Sequence, residues 1–322
     1  MRTLLSLACV WPLVAAGATE IPLEELGRRF SPPTNVVVEW KATGELPAEV
    51  MVYGVVSREF SPVVMSNVMA LGGWKTDQRT RVPGRGRVPQ DKHIVHFGRE
   101  DEPKQLSFYP PAGLIQYRDS QACASPNGHA YAVPDETEAL RLARAFLKSL
   151  DIDERDLARD ANGQPRVVRA KITQGRQGIG EVISRTVNFT REVDGIPFTG
   201  SNFGGVGITF GNAGKIANLE VVWPSLKATK RLSTASPAQL LASVKRGRTA
   251  LRWGPGSDEL VGKIPTLQRI TVNEVKLYYL GSSMDDMRKT ILPFGTLEIT
   301  AHFPKTNYVV SLNSPVATPA KE

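Results

Sequence analysis

Cysteine and histidine are scarce. The 322-residue sequence has two cysteines, Cys9 and Cys123, and four histidines. Two cysteines cannot form a disulfide framework. So few thiols and imidazoles leave little for nucleophilic catalysis, or for zinc, which takes three or four converging ligands. After residue 18 no apolar run approaches the ~20 residues that span a bilayer as a helix. Neither hydrophobic residues, at 41%, nor charged ones, at 22%, depart from globular composition. Wholesale disorder, collagen-like repeats and a multi-span membrane protein are therefore excluded.

What is present begins with an export signal. Arg2 supplies a positive start, residues 4–16 are apolar apart from Ser6, and Ala16-Gly17-Ala18 offers the small residues a signal peptidase reads. The expectation is a cleavable peptide over residues 1–18, cut near Ala18, and a secreted or periplasmic mature protein. Cleavage removes Arg2 and Cys9. It takes the net charge from +8 to +7, 39 basic against 32 acidic residues, and leaves Cys123 as the one thiol. A positive balance suits anionic wall polymers or lipid headgroups and is also common among exported proteins.

Three stretches follow one plan, a capped helix and then strands. The first helix starts at Ser61-Pro62, carries Val64, Val68 and Leu71 at helical spacing, and stops at Gly72-Gly73. The second starts at Asp135 with Glu138 three residues on, and Ala139, Leu142, Ala143, Phe146 and Leu150 form its apolar stripe. The third starts at Ser236-Pro237 with Gln239 in the box position, and its stripe runs through Leu240, Leu241 and Val244 to Leu251. Period-two alternation marks strands, as in Ile183, Val187 and Phe189 against Ser184, Thr186 and Asn188, or Leu297, Ile299 and Ala301 against Glu298, Thr300 and His302. Sequential strands joined by short turns predict an α+β fold of tandem units, each one helix packed on an antiparallel β-sheet. The expected division is 31–125, 131–231 and 232–313, with a flexible tail over 314–322.

The middle stretch resembles the PepSY family of exported bacterial modules. The likeness rests on Asp194-Gly195-Ile196-Pro197-Phe198-Thr199-Gly200, followed by Gly205-Val206-Gly207-Ile208-Thr209-Phe210 and Gly214-Lys215-Ile216. Val275-Lys276-Leu277-Tyr278-Tyr279 and Ile291-Leu292-Pro293 are similar to the last unit of tandem PepSY-like envelope regulators. The resemblance spans residues 134–312. It implies a non-catalytic module that inhibits proteases in the manner of a propeptide or contacts envelope proteins as a sensor, and it carries over no catalytic residue.

Three functional readings follow. The first is a non-enzymatic regulatory protein that binds a protein or peptide of the envelope through a sheet face or edge and needs no cofactor. The second is a metal-dependent hydrolase using His93 and His96, although residues three apart on a strand face opposite ways. The third is a polyanion or membrane-surface binder. It would act through the basic loop 76–92, where Arg79, Arg81, Arg85, Arg87 and Lys92 are spaced by prolines and glycines. Nucleic acid is not an expected partner, because export separates the chain from it and the loop lacks interleaved aromatics for base stacking.

Overall fold

The computed structural model describes residues 21–75, 94–99, 101–124, 131–174, 180–199, 204–252, 257–281 and 290–318. The expected export signal, the whole basic loop with its five cations, His93 and the last four residues of the tail lie outside them.

The capping signals produce helices as expected. The Val64 N–H donates to Ser61 Oγ at 3.2 Å, opening a helix over Pro62–Gly72 that Gly73 ends in the left-handed region at φ 76°. Asp135 Oδ1 accepts from the Glu138 N–H at 2.8 Å and opens Glu136–Ser149, which buries Ala139, Ala143 and Leu147. Ser236 and Gln239 form a reciprocal capping box at the head of Pro237–Lys245. That third helix is shorter than its apolar stripe implies. Gly247 turns the chain at φ 64°, and Leu251 belongs to the strand Thr249–Leu251.

The tandem arrangement is overturned. The chain is mostly β, its helices are few and short, and its strands pair across the expected units into three sheets. A seven-stranded antiparallel sheet runs in the order Val95–Phe97, Lys104–Tyr109, Leu114–Asp119, Ile216–Val222, Gly205–Phe210, Glu181–Thr190, Val167–Gln174. Its central seam joins the Leu114–Asp119 strand to Ile216–Val222, with Tyr117 opposite Leu219. The helices Pro62–Gly72 and Glu136–Ser149 contribute to one core with this sheet, built on Val64, Val68, Ile115, Ala143, Leu147, Val187 and Leu219.

An eight-stranded sheet is centred on the antiparallel pair Arg269–Leu280 and Pro293–His302. It recruits Arg28–Phe30 and Val37–Trp40 from the start of the chain and Ile196–Thr199 from its middle, the last two pairing parallel to Arg269–Leu280. The helices Pro237–Lys245 and Ser257–Lys263 add Leu240, Val244 and Leu260 to its core. A four-stranded sheet pairs Glu49–Val56 with Ser225–Thr234 and adds Thr290–Ile291 and Ala317–Thr318. Periodicity sets which residues form a strand and which face is apolar. It does not name the partner strand, and that choice is what separates this fold from a string of self-contained units.

Asp194-Gly195 makes a tight turn, with both residues in the left-handed region at φ 53° and 74°. The Tyr53 hydroxyl donates to Asp194 Oδ2 and packs edge-on against Tyr279 with ring centroids 5.6 Å apart. The turn from the middle of the chain is thereby fastened to both the four-stranded and the eight-stranded sheet.

Candidate functional site

Both helices of the seven-stranded sheet lie against one face, so alternate residues on every strand point the other way. Register places His96, Ser107, Gln116, Glu220, Gly207, Asn188 and Val168 in one unbroken row across all seven strands. The next row is Gln105, Arg118, Asn218, Thr209, Thr186 and Ala170, and the Thr186 and Thr209 hydroxyls meet at 2.9 Å. Along these two rows the helix-free face is polar until its last strand, whereas the row beyond them, Tyr109, Leu114 and Val222, turns into the core shared with the other sheets.

That last strand, Val167–Gln174, pairs with Glu181–Thr190 alone among the described residues. Val168, Ala170 and Ile172 share its helix-free side and are exposed, Val168 at 53% and Ile172 at 57%. Its cations sit on the opposite side, where Arg169 pairs with Glu136 at the start of the second helix and holds that carboxyl below its usual range. Pairing runs in regular register from Val167 to Ile172 before a shift at Thr173. The result is a six-residue stretch of open backbone edge bearing an apolar strip.

A cleft of about 260 Å³ opens where this face meets the eight-stranded sheet. Arg166, Val168, Asn188 and Glu220 line it from the seven-stranded sheet, and Arg252 and Tyr278 line it from the other side. Gly207 lies in the floor, and a Cβ there would sit 2.8 Å from Asn188 Oδ1, so the Asn188 side chain would have to shift to admit one. The backbones at both arginines are held, Arg166 donating its N–H to Ala158 O at 2.6 Å and Arg252 donating to Ser311 O at 2.9 Å. Both residues are exposed, and among the described residues neither has an ion-pair partner.

At the far end of the upper row, His96 Nδ1 meets Ser107 Oγ at 2.7 Å. Of the expected histidine pair only this ring is described, and among the described residues no group of three or more His, Cys, Asp or Glu is placed to hold a metal. His302 bridges Thr271 and Asn307 on a strand of the other sheet. Burial, helped by Asp119, raises the half-buried Cys123 thiol. Burial lowers the His96 imidazole below its ordinary value, so protonation favours the unfolded chain. Stability is then complete above a pH of about 6.5 and falls as pH drops through that value toward the folded one. His96→Gln is therefore expected to lose less stability than the parent between about pH 7 and pH 5, read as urea midpoints at the two pH values. Equal losses would contradict this placement of the ring.

Two arginines that carry no distinguishing mark in the sequence fasten the sheets around Trp223. Arg191 lies over the Trp223 ring at 4.9 Å and donates from Nη1 to Pro224 O at 2.7 Å. Arg58 donates from Nη2 to Leu150 O at 2.8 Å and from Nη1 to Trp223 O at 3.4 Å. Burial pulls Arg191 down to about 10, which leaves it a cation at neutral pH. The cleft residues are equally unmarked. Asn188 and Glu220 stand in the sequence as the polar partners of an alternation, but nothing local brings Arg166 and Arg252 together across 86 residues.

No family model matches the chain, and no curated protein does. Among solved structures it is similar, at a TM-score of 0.45 and 13% identity over 86% of each chain, to an uncharacterized protein from Eubacterium rectale ATCC 33656, whose crystal structure was determined at 1.45 Å resolution.

Proposed function

We propose that this is an exported, non-enzymatic binding protein of the cell envelope, a regulator of the PepSY kind, that takes a protein or peptide segment by strand addition. The observation that carries this reading is the Val167–Gln174 edge. An unpaired strand offers a row of backbone donors and acceptors to any extended chain, and natural proteins usually blunt such edges with charge, bulges or cover. Ser225–Thr234, whose outer side is paired only at Ser233 and Thr234 among the described residues, is blunted in that way. It carries a register shift between Ala228 and Lys230 and presents Lys227, Lys230 and Arg231. The Val167–Gln174 edge keeps its register over the six residues before Thr173, carries Arg169 and Lys171 on the helix side, and shows Val168, Ala170 and Ile172 on the other side beside its open backbone. Main-chain bonds along such an edge give affinity, and alternate side chains give selectivity.

The test is site-specific photocrosslinking in the producing cell. A photoreactive residue at Ala170 is expected to give a discrete protein or peptide adduct, and one at Val309, which is 74% exposed on the other sheet, is expected to give none. Adducts at both positions alike, or at neither, would set the reading aside.

A further inference from the structure

We infer that the cleft beside the edge receives a free C-terminal carboxylate, so that the ligand is the extended tail of another chain, docked antiparallel to Val167–Gln174 and ending between Arg166 and Arg252. The inference rests on the strand-addition reading and adds the ligand's chemistry and direction to it.

Direction follows from topology. The strand leaves the cleft at Arg166 and runs away from it to Gln174. A segment added antiparallel continues the pattern of the whole sheet and travels back toward Arg166, bringing its C-terminal end to the cleft. From Ile172 to Arg166 is roughly 20 Å at ~3.3 Å per residue, so a tail of about eight residues covers the apolar strip and reaches the arginines. A segment added parallel would bring an ammonium there instead.

Charge makes the same choice. The charged residues lining the cleft are Arg166, Arg252 and Glu220, a net of one positive charge. Guanidinium forks suit a carboxylate, since each can give two parallel N–H bonds to its oxygens. Both are without ion-pair partners among the described residues, so an arriving carboxylate displaces no existing pair there. Phe198 and Tyr278 line the same cleft and favour an apolar or aromatic last residue.

The test uses the full chain and a library of random octapeptides presented with free C-termini. The best-enriched sequence is then synthesised as the free acid and as the C-terminal amide, and both are titrated by fluorescence polarisation. The amide is expected to bind at least about tenfold more weakly. In the double variant Arg166→Gln/Arg252→Gln, whose fold is checked by circular dichroism, acid and amide are expected to bind equally. If acid and amide bind the parent equally while Ile172→Lys still weakens both, the carboxylate inference fails and the edge reading stands. If no enriched peptide is sensitive to Ile172→Lys, both fail.

Discussion

Replacing Leu219 by Ala is expected to lower the unfolding free energy by about 3–5 kcal/mol, and to do so in one transition that includes both long helices. Leu219 is fully buried in a central strand of the seven-stranded sheet, with Tyr117 opposite on one side and Ile208 on the other. Truncation removes its apolar atoms from the core and leaves a cavity that neighbours pinned by the sheet ladder can only partly fill. The strands on its two sides come from distant parts of the chain, and the helices Pro62–Gly72 and Glu136–Ser149 share its core. The loss therefore belongs to a single cooperative unit. Urea unfolding followed by tryptophan fluorescence and by circular dichroism is expected to shift together. A variant whose first half keeps the parent midpoint would mean that the halves unfold separately.

Gly113→Ala is expected to be nearly as damaging, at about 2–5 kcal/mol, although it adds a single methyl group. Gly113 has φ 59°, and a Cβ there would lie 2.4 Å from the carbonyl carbon and oxygen of Trp223 and 2.5 Å from Pro224 N. Those atoms are backbone, and they are tied in place because the Trp223 N–H donates to Gly113 O at 3.0 Å. The contact sits where the Leu114–Asp119 strand enters the sheet beside Ile216–Val222, so relief requires moving the central seam. Gly163 separates this contact from the cost of left-handed backbone alone. It has φ 73°, and a Cβ added there would meet open space, so Gly163→Ala is expected to cost only about 1 kcal/mol. Equal costs at the two glycines, measured by denaturant midpoints, would show that the close approach at Gly113 is not what matters.

Local structure is legible in the sequence wherever one face of an element is buried. The Asp135 cap and the stripe through Ala139 and Ala143 locate the second helix, and the alternation around Val187 and Phe189 locates its strand and the side that faces the core. Ser225–Thr234 has no such contrast and does not stand out as a strand. Only Leu232 is buried along its ten residues, and its lysines and arginine suit an exposed edge as well as a loop. Leu251 looks helical because an apolar residue six positions past Lys245 continues the stripe, but Gly247 reverses the chain before it arrives. Partner choice leaves no local trace. The parallel pairing of Phe198 with Tyr279 and of Arg269 with Val37 depends on which surfaces fit after collapse, and single-chain periodicity carries no information on that.

The same limit explains the site. The open edge is, in the sequence, one more strand, Val167–Gln174, and its missing neighbour is a property of the assembled sheet. Arg166 and Arg252 are ordinary in a chain with 40 basic residues and become a pair only through the junction of two sheets. The conspicuous features, the H-x-x-H pair and the cations of the basic loop, stand out in the sequence because their residues are close in number. The cleft draws its residues from positions far apart along the chain.

Amide hydrogen exchange on the full chain, with and without the selected octapeptide, tests the central claim most directly. New protection confined to residues 167–173 is the predicted result, because an added strand takes up the open donors of that edge and of no other. Protection at Ser225–Thr234, or over the polar face with residues 167–173 unchanged, would contradict it.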